Sequence, residues 1–447
     1  MTPSTLGIIV LLVSLVFLLS GMPIAFALGA ASLFFILTLM DFPQFMMTAH
    51  TVFEGLNDFG LLAIPLFILM GAILANTRAG SDLYESIHRW LYRLPGGLGV
   101  SNIVACAIFA ALCGSSPATA AAIGTAGIPE MIKRGYPGSL ATGLIVGGGT
   151  LGILIPPSVT MIVYGIATQT SVGKLFIAGV IPGIIMTLLF AVWVILYMLL
   201  KKRALLRAGA KSSDHLLLAE ESFTFREKLA TLPRVAPFVL LIIIMMVTLY
   251  GGLATPSEAA AVGSVAALLL VMTIYPLTLR GDILRILKGT IRESTMILMI
   301  VGTSYLFGLV LTKLYITQSV ANGIIDLELN RWMAMFIINV FLLVLGCFMP
   351  PVAIILITAP ILHPIIKGLG FDPIWFGVII TLNMEAGLIT PPVGLNLYIV
   401  QGIAPDVPLS EVLRGSIPFI IMLCLGIVIL CAWPDLALWL PNKMITR

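Results

Sequence analysis

Two short runs, Gly152-Ile153-Leu154-Ile155-Pro156-Pro157 and Gly387-Leu388-Ile389-Thr390-Pro391-Pro392, place paired prolines inside apolar sequence, 235 positions apart. Proline has no backbone N–H, so two in succession release carbonyls that must find partners at membrane depth. Carbonyls freed at 152–156 and 387–390, with the hydroxyls of Ser115, Ser116, Ser158 and Thr390, are hard oxygen donors suited to a dehydrated sodium ion. Helices that restart after such breaks offer free amide donors and a positive dipole end, which suit an anionic substrate. The chemistry expected is joint binding of a cation and an anion.

Other polar residues are weighed against this pair of breaks. Asn383, Glu385, Asn396 and Gln401 flank the second break, and ionisable groups inside a membrane are functional candidates. For Glu385 three roles stay open: a cation site, coordination through water, or pairing with a basic group. Glu258 follows Thr255-Pro256-Ser257 and reads as a helix cap. Thr303 and Ser304 either face a transport path or bond back to their own helix. The cysteines Cys106, Cys113, Cys347, Cys424 and Cys431 lack metal-ligand spacing and read as packing residues. His50, His88, His215 and His363 are too scattered to share a transition metal, and no such site is expected. No P-loop or dinucleotide fingerprint is present, so energy should come from an ion gradient rather than an ATPase, and no enzymatic activity is expected.

The elements that must hold these residues are helices in a membrane. The chain has 447 residues, 60% hydrophobic and only 10% charged, where soluble domains carry about 25% charge. Residues 1–40 contain no Lys, Arg or Glu and no Asp, and run on without a cleavable secretory pattern, so the first span is expected to be retained. Ten spans are predicted at 4–20, 23–40, 59–77, 138–170, 175–200, 236–251, 255–276, 293–312, 374–403 and 415–440. The segments 138–170 and 374–403 each carry a Pro-Pro break. Two further apolar stretches, 101–128 and 334–366, hold Gly114-Ser115-Ser116-Pro117 and Met349-Pro350-Pro351 at their middles and read as re-entrant hairpins.

The pattern is an internal repeat. Pro129 and Gly135 match Pro364 and Gly370 at the spacing of the Pro-Pro runs, and Cys113 and Pro117 match Cys347 and Pro351 one residue closer. With the amino terminus outside, 18 of the 24 Lys and Arg fall on the cytoplasmic side, which satisfies the positive-inside rule. The same sidedness makes the hairpins enter from opposite faces, so residues 1–200 and 236–447 are expected to be inverted repeats joined by a cytoplasmic linker at 201–235. Both termini are then periplasmic. Segments 82–94 and 280–292 show apolar residues at helical spacing against charged ones and read as amphipathic helices in the interface.

Four motifs together resemble a known family. They are Gly114-Ser115-Ser116-Pro117-Ala118-Thr119-Ala120, Ile155-Pro156-Pro157-Ser158, Ala254-Thr255-Pro256-Ser257-Glu258-Ala259-Ala260 and Gly387-Leu388-Ile389-Thr390-Pro391-Pro392-Val393-Gly394-Leu395-Asn396. The chain resembles, over nearly its whole length, the large membrane subunit of tripartite ATP-independent periplasmic (TRAP) transporters. The resemblance implies an all-α polytopic protein of the bacterial inner membrane with elevator-type architecture. It implies sodium as coupling ion, a separate small four-helix membrane subunit and a periplasmic substrate-binding protein as partners. One sodium site would involve Ser115, Ser116, Gly152 and Pro156, and the other Met349, Pro350, Gly387 and Thr390. The substrate would sit between them, near Ser116, Pro117, Pro157, Ser158, Pro351, Pro392 and Asn396.

The expected activity is therefore sodium-driven import of an organic acid, such as a C4-dicarboxylate, sialic acid, another sugar acid or a keto acid. No basic residue is evident between the tips, so helix dipoles and sodium are left to neutralise the carboxylate. A stand-alone sodium-dicarboxylate carrier is the related alternative, disfavoured because such carriers use Ser-Asn-Thr at their tips. A membrane enzyme or scaffold is the remote one.

Overall fold

The computed structural model describes residues 3–207, 223–275, 279–326 and 330–444, and every regular element among them is helical. Lys211, Asp214, His215, Glu220 and Glu221 of the expected linker lie outside these residues. Seven of the described helices are long and apolar enough to cross a membrane, and an eighth span results if Phe42–Leu56 and Phe59–Ala75, bent by 59°, cross as one. Their outward faces are apolar at helical spacing: Ile184, Leu188, Val192, Leu196 and Leu200 on one helix, Val262, Val265 and Leu269 on another. In water such stripes would be costly, whereas lipid is the solvent they match. The chain is a multi-pass membrane protein.

Several boundaries differ from the sequence expectation. The first two spans are the helices Pro3–Leu19 and Ile24–Leu39, of 17 and 16 residues, short of the roughly 20 that a straight crossing needs. The span expected at 59–77 is a single turn at Phe59–Leu62 followed by Ala63–Ala75, with the 59° bend before it. The helix expected from 236 begins at Phe225, because Thr224 and Glu227 form a capping box that starts it outside the apolar run. Segment 280–292 is not a separate surface helix but opens the continuous helix Leu284–Lys313. Segment 82–94 does form its own helix, Ala79–Leu91, held to Phe225–Tyr250 by Thr231 Oγ1 donating to Ser86 Oγ at 3.1 Å. Glu258 caps as expected, its Oε2 accepting from Thr255 N at 2.8 Å.

Helices Gly138–Gly149, Gly97–Cys113, Ser116–Lys133 and Leu409–Ala432 form the buried centre that carries the first break. Small residues make it possible. A Cβ on Gly143 would lie 2.2 Å from Gly415 O, and one on Gly415 would lie 1.8 Å from Ser139 O, so the two helices touch backbone to backbone. Ile24–Leu39, Ala63–Ala75, Pro256–Ile274 and Leu284–Lys313 pack on one another as a second group beside it.

Gly415→Ala should therefore push the helices apart and cost on the order of 1–3 kcal/mol. Thermal unfolding of the purified protein should register the loss, while Gly323→Ala, with nothing within 4 Å, should be neutral or slightly stabilising. Equal melting for both variants would refute the close contact.

Candidate functional site

Each proline break lies against a helical hairpin tip. The first tip joins Gly97–Cys113 to Ser116–Lys133 through Gly114, in the left-handed region at φ +58°, and Ser115. The second joins Arg331–Gly346 to Pro351–Gly368. The first broken helix runs Gly138–Gly149 and Leu151–Leu154, opens over 155–158, and restarts as Val159–Thr168. The second runs Pro373–Leu388, opens over 389–394, and restarts as Leu395–Ile403. Both Pro156-Pro157 and Pro391-Pro392 bonds are cis.

Glycine sets how closely tip and break approach. A Cβ on Gly152 would lie 2.6 Å from Ser115 O and from Ser116 Cα, and one on Gly387 would lie 2.5 Å from Gly346 Cα. Each broken helix thus rests its glycine on the backbone of its own hairpin, the use of glycine wherever two main chains must meet. Val393 N donates to Cys347 O at 3.0 Å, tying the second break to the second tip.

The expected site residues divide into three groups. Ser115, Pro117, Pro350 and Pro351 line a cavity of about 460 Å³ between the tips. Ser116 and Asn396 are fully buried behind it and meet there, Asn396 Nδ2 donating to Ser116 Oγ at 2.7 Å. The rest are placed elsewhere. Ser158 Oγ accepts from Met161 N at 3.3 Å as an N-cap, and Thr390 Oγ1, in the second break, donates back to Ala386 O of Pro373–Leu388 at 2.6 Å. Pro156 and Pro157 stand in the first break, with Pro157 O approaching Gly114, and Pro392 is exposed in the second. Met349 lies at the second tip, half-buried against the core.

Glu385 belongs to the buried group. It is fully buried on Pro373–Leu388 and reaches across to the first hairpin and the first broken helix: Ser116 Oγ lies 3.0 Å from its Oε2, and Ile153 N donates to Oε1 at 3.2 Å. Ser116 Oγ also donates to Gly149 O at 2.8 Å. Asn383 Nδ2 donates to Asn339 O and to Asn339 Oδ1, both at 2.9 Å, fixing the second broken helix to the second hairpin. The Oδ1 atoms of Asn396 and Asn383 are buried without a hydrogen-bond partner.

Two charged residues of the cavity were missed in sequence. Arg285, Gly289, Glu293 and Ile297 present one stripe of Leu284–Lys313 to the cavity, facing the tips. Asn76 and Thr160 add polar groups, and Ile68, Ala72, Ile153 and Leu388 make the walls apolar. The spacing of four among 285, 289, 293 and 297 was available as a signal. It was hidden because charges on an amphipathic pattern read as a solvated face. Thr303 is back-bonded to Met299 O at 2.9 Å, while Ser304 lines a separate cavity of about 350 Å³.

Residues 11–436 match the family described as "Tripartite ATP-independent periplasmic transporter, DctM component". The chain belongs to this family. The C4-dicarboxylate TRAP transporter large permease protein DctM of Pseudomonas aeruginosa is 39% identical over 88% of this chain and 89% of its own length. The protein of the same name from Rhodobacter capsulatus is 36% identical over 99% of each chain. Among solved structures, the Alcanivorax borkumensis YdaH transporter superposes with a TM-score of 0.63 over 99% of both chains at 14% identity, which shows a shared fold. As a TRAP large permease the chain is a transporter subunit and not an enzyme.

Within this TRAP permease, Ser116→Ala should remove the hub that Asn396, Glu385 and Gly149 share. Each buried group left unsatisfied costs about 1–3 kcal/mol. Its melting temperature should fall well below that of Ser416→Ala, whose hydroxyl bonds only to Leu413 O of its own helix. Indistinguishable melts would contradict the network.

Proposed function

We propose that this TRAP permease subunit imports an organic acid bearing at least one carboxylate, driven by sodium. The single observation that carries the reading is the cavity between the hairpin tips, faced by Arg285. Its volume of about 460 Å³ suits a small organic acid, since ligand pockets run to roughly 300–1,000 Å³. A guanidinium opposite helix N-termini at Ser116 and Pro351 offers charge and amide donors to one carboxylate or two. C4-dicarboxylates are the first class to test, being the substrates named for the relatives above.

The residues also fit a sodium ion beside each tip. Asn396 Oδ1 and Asn383 Oδ1 are buried acceptors lacking a hydrogen bond, and Gly152 and Gly387 let the backbone of each break come against that of its hairpin. Ser115, Ser116, Gly152, Pro156 and Asn396 would hold one ion; Met349, Pro350, Gly387, Thr390 and Asn383 would hold the other. Bound sodium would supply positive charge beside the substrate carboxylate.

The movement proposed is an elevator. The two hairpins and both broken helices pack together as the moving unit, against the scaffold group of Ile24–Leu39, Ala63–Ala75, Pro256–Ile274 and Leu284–Lys313. Residues 1–200 and 236–447 would be inverted repeats, with both termini periplasmic and the chain in the bacterial inner membrane. On that sidedness Arg285 stands at the cytoplasmic end of the cavity. A separate small four-helix membrane subunit would brace the scaffold, and a periplasmic substrate-binding protein would deliver the acid.

Proteoliposomes holding this chain and its small subunit should take up labelled C4-dicarboxylate only with an inward sodium gradient and added binding protein. Arg285→Gln should lower uptake at limiting substrate about tenfold or more, from the roughly 1.5–3 kcal/mol of a lost charged hydrogen bond. Uptake without sodium would overturn the coupling, and wild-type transport by Arg285→Gln would remove that residue from the substrate site.

A further inference from the structure

Two charged side chains line the cavity between the tips, and a substrate carboxylate accounts for one of them. Arg285 and Glu293 are the charged residues of its lining, and both stand open to it. Neither makes a hydrogen bond or an ion pair with the protein among the described residues. Arg285 has a partner in the substrate carboxylate, whereas Glu293 has none yet.

The spacing of the two sets the length of what lies between them. Eight residues of helix separate their Cα atoms by about 12 Å along the axis. Both side chains lean toward the amino end of the helix, so their heads keep roughly that separation. A charged hydrogen bond at each end takes about 2.8 Å, leaving about 6 Å, the span of a four-carbon chain with a polar atom at either end. Gly289 lies between them on the stripe, and a Cβ there would have nothing within 4 Å, so that length of the cavity stays open.

The two ends demand opposite chemistry. A guanidinium donates, and a carboxylate accepts. An acid whose far end carries a donor satisfies both. One with a second carboxylate there sets like charges together, and one ending in a methyl leaves Glu293 without a partner.

We infer that Glu293 is a specificity-determining residue, accepting from a hydroxyl or ammonium at the far end of a substrate whose carboxylate is on Arg285. This rests on the reading of the cavity as a carboxylate site and ranks the acids admitted to it. A dicarboxylate is still held by Arg285 and the amides of the tips, but less tightly than an acid of the same length that ends in a donor.

Equilibrium dialysis of the purified permease with its small subunit, in sodium chloride at neutral pH, tests the ranking without the binding protein. The probes are labelled butyrate, 4-hydroxybutyrate, 4-aminobutyrate and succinate, four-carbon acids that differ only at the far end. The hydroxyl and ammonium acids should bind about tenfold more tightly than butyrate and succinate. Glu293→Gln, which removes no contact with the protein and should unfold at the wild-type temperature, should erase the preference for 4-aminobutyrate over succinate. Glu293→Lys should put succinate first. The wild-type ranking retained in both variants would overturn the inference, and so would variants that alter only the sodium dependence of binding, which would make Glu293 an ion ligand. Undiminished binding of all four acids by Arg285→Gln would instead remove the carboxylate site itself, and the inference with it.

Discussion

Backbone that leaves a helix inside a membrane must find its hydrogen bonds within the protein, and this chain leaves the helix twice at paired prolines. Everything near the centre of the molecule answers that constraint. The break over 155–158 is buried against the first hairpin tip, and the one over 389–394, where Pro391, Pro392 and Val393 stay exposed, is tied to the second tip by Val393 N donating to Cys347 O. Glycines at 152 and 387 let break and tip meet without side chains between them. What results on each side is a pair of interrupted helices whose unwound ends converge, the arrangement from which carriers build sites for small ions.

Ser116 turns these two local solutions into one. It begins the second arm of the first hairpin and is bonded to Gly149 of the first broken helix, and to Glu385 and Asn396 on either side of the second break. Four helical segments, two from each half of the chain, thus share one hydroxyl. In a medium of low dielectric such a network is worth more than its parts, and a member left unsatisfied costs correspondingly more. The cavity sits on the other side of the first tip, where Ser115 and Pro117 face Arg285. A hydroxyl buried in the hub and one open to the cavity, on adjacent residues, let the tip be fixed on one side and receptive on the other.

The helical membrane class, the two breaks and the two hairpin tips were legible because proline and glycine act locally: their effect on the backbone depends little on what surrounds them. Boundaries were less so. The start at Phe225 depends on a cap outside the apolar run, and the joining of 280–292 to the span after it depends on an unbroken ladder that composition does not reveal. The hub was visible only as candidates, since Ser116, Glu385 and Asn396 were each noted but their meeting is a fact of packing. Arg285 falls in segment 280–292, which reads as an interfacial amphipathic helix, because a cavity lined by one helix stripe and a surface lined by the same stripe have the same sequence pattern. Ser158 and Thr390 show the converse, being hydroxyls in the breaks that also bond to the adjoining helices, Ser158 accepting from Met161 N and Thr390 donating to Ala386 O.

The measurement that bears most directly on this account is a cryo-electron microscopy structure of the permease with its small subunit, sodium and a dicarboxylate. The account requires substrate density between Ser115-Pro117 and Pro350-Pro351 with a carboxylate on Arg285, and ion density beside Gly152 and Gly387. Substrate bound on another face of the molecule, with the space between the tips empty, would contradict it.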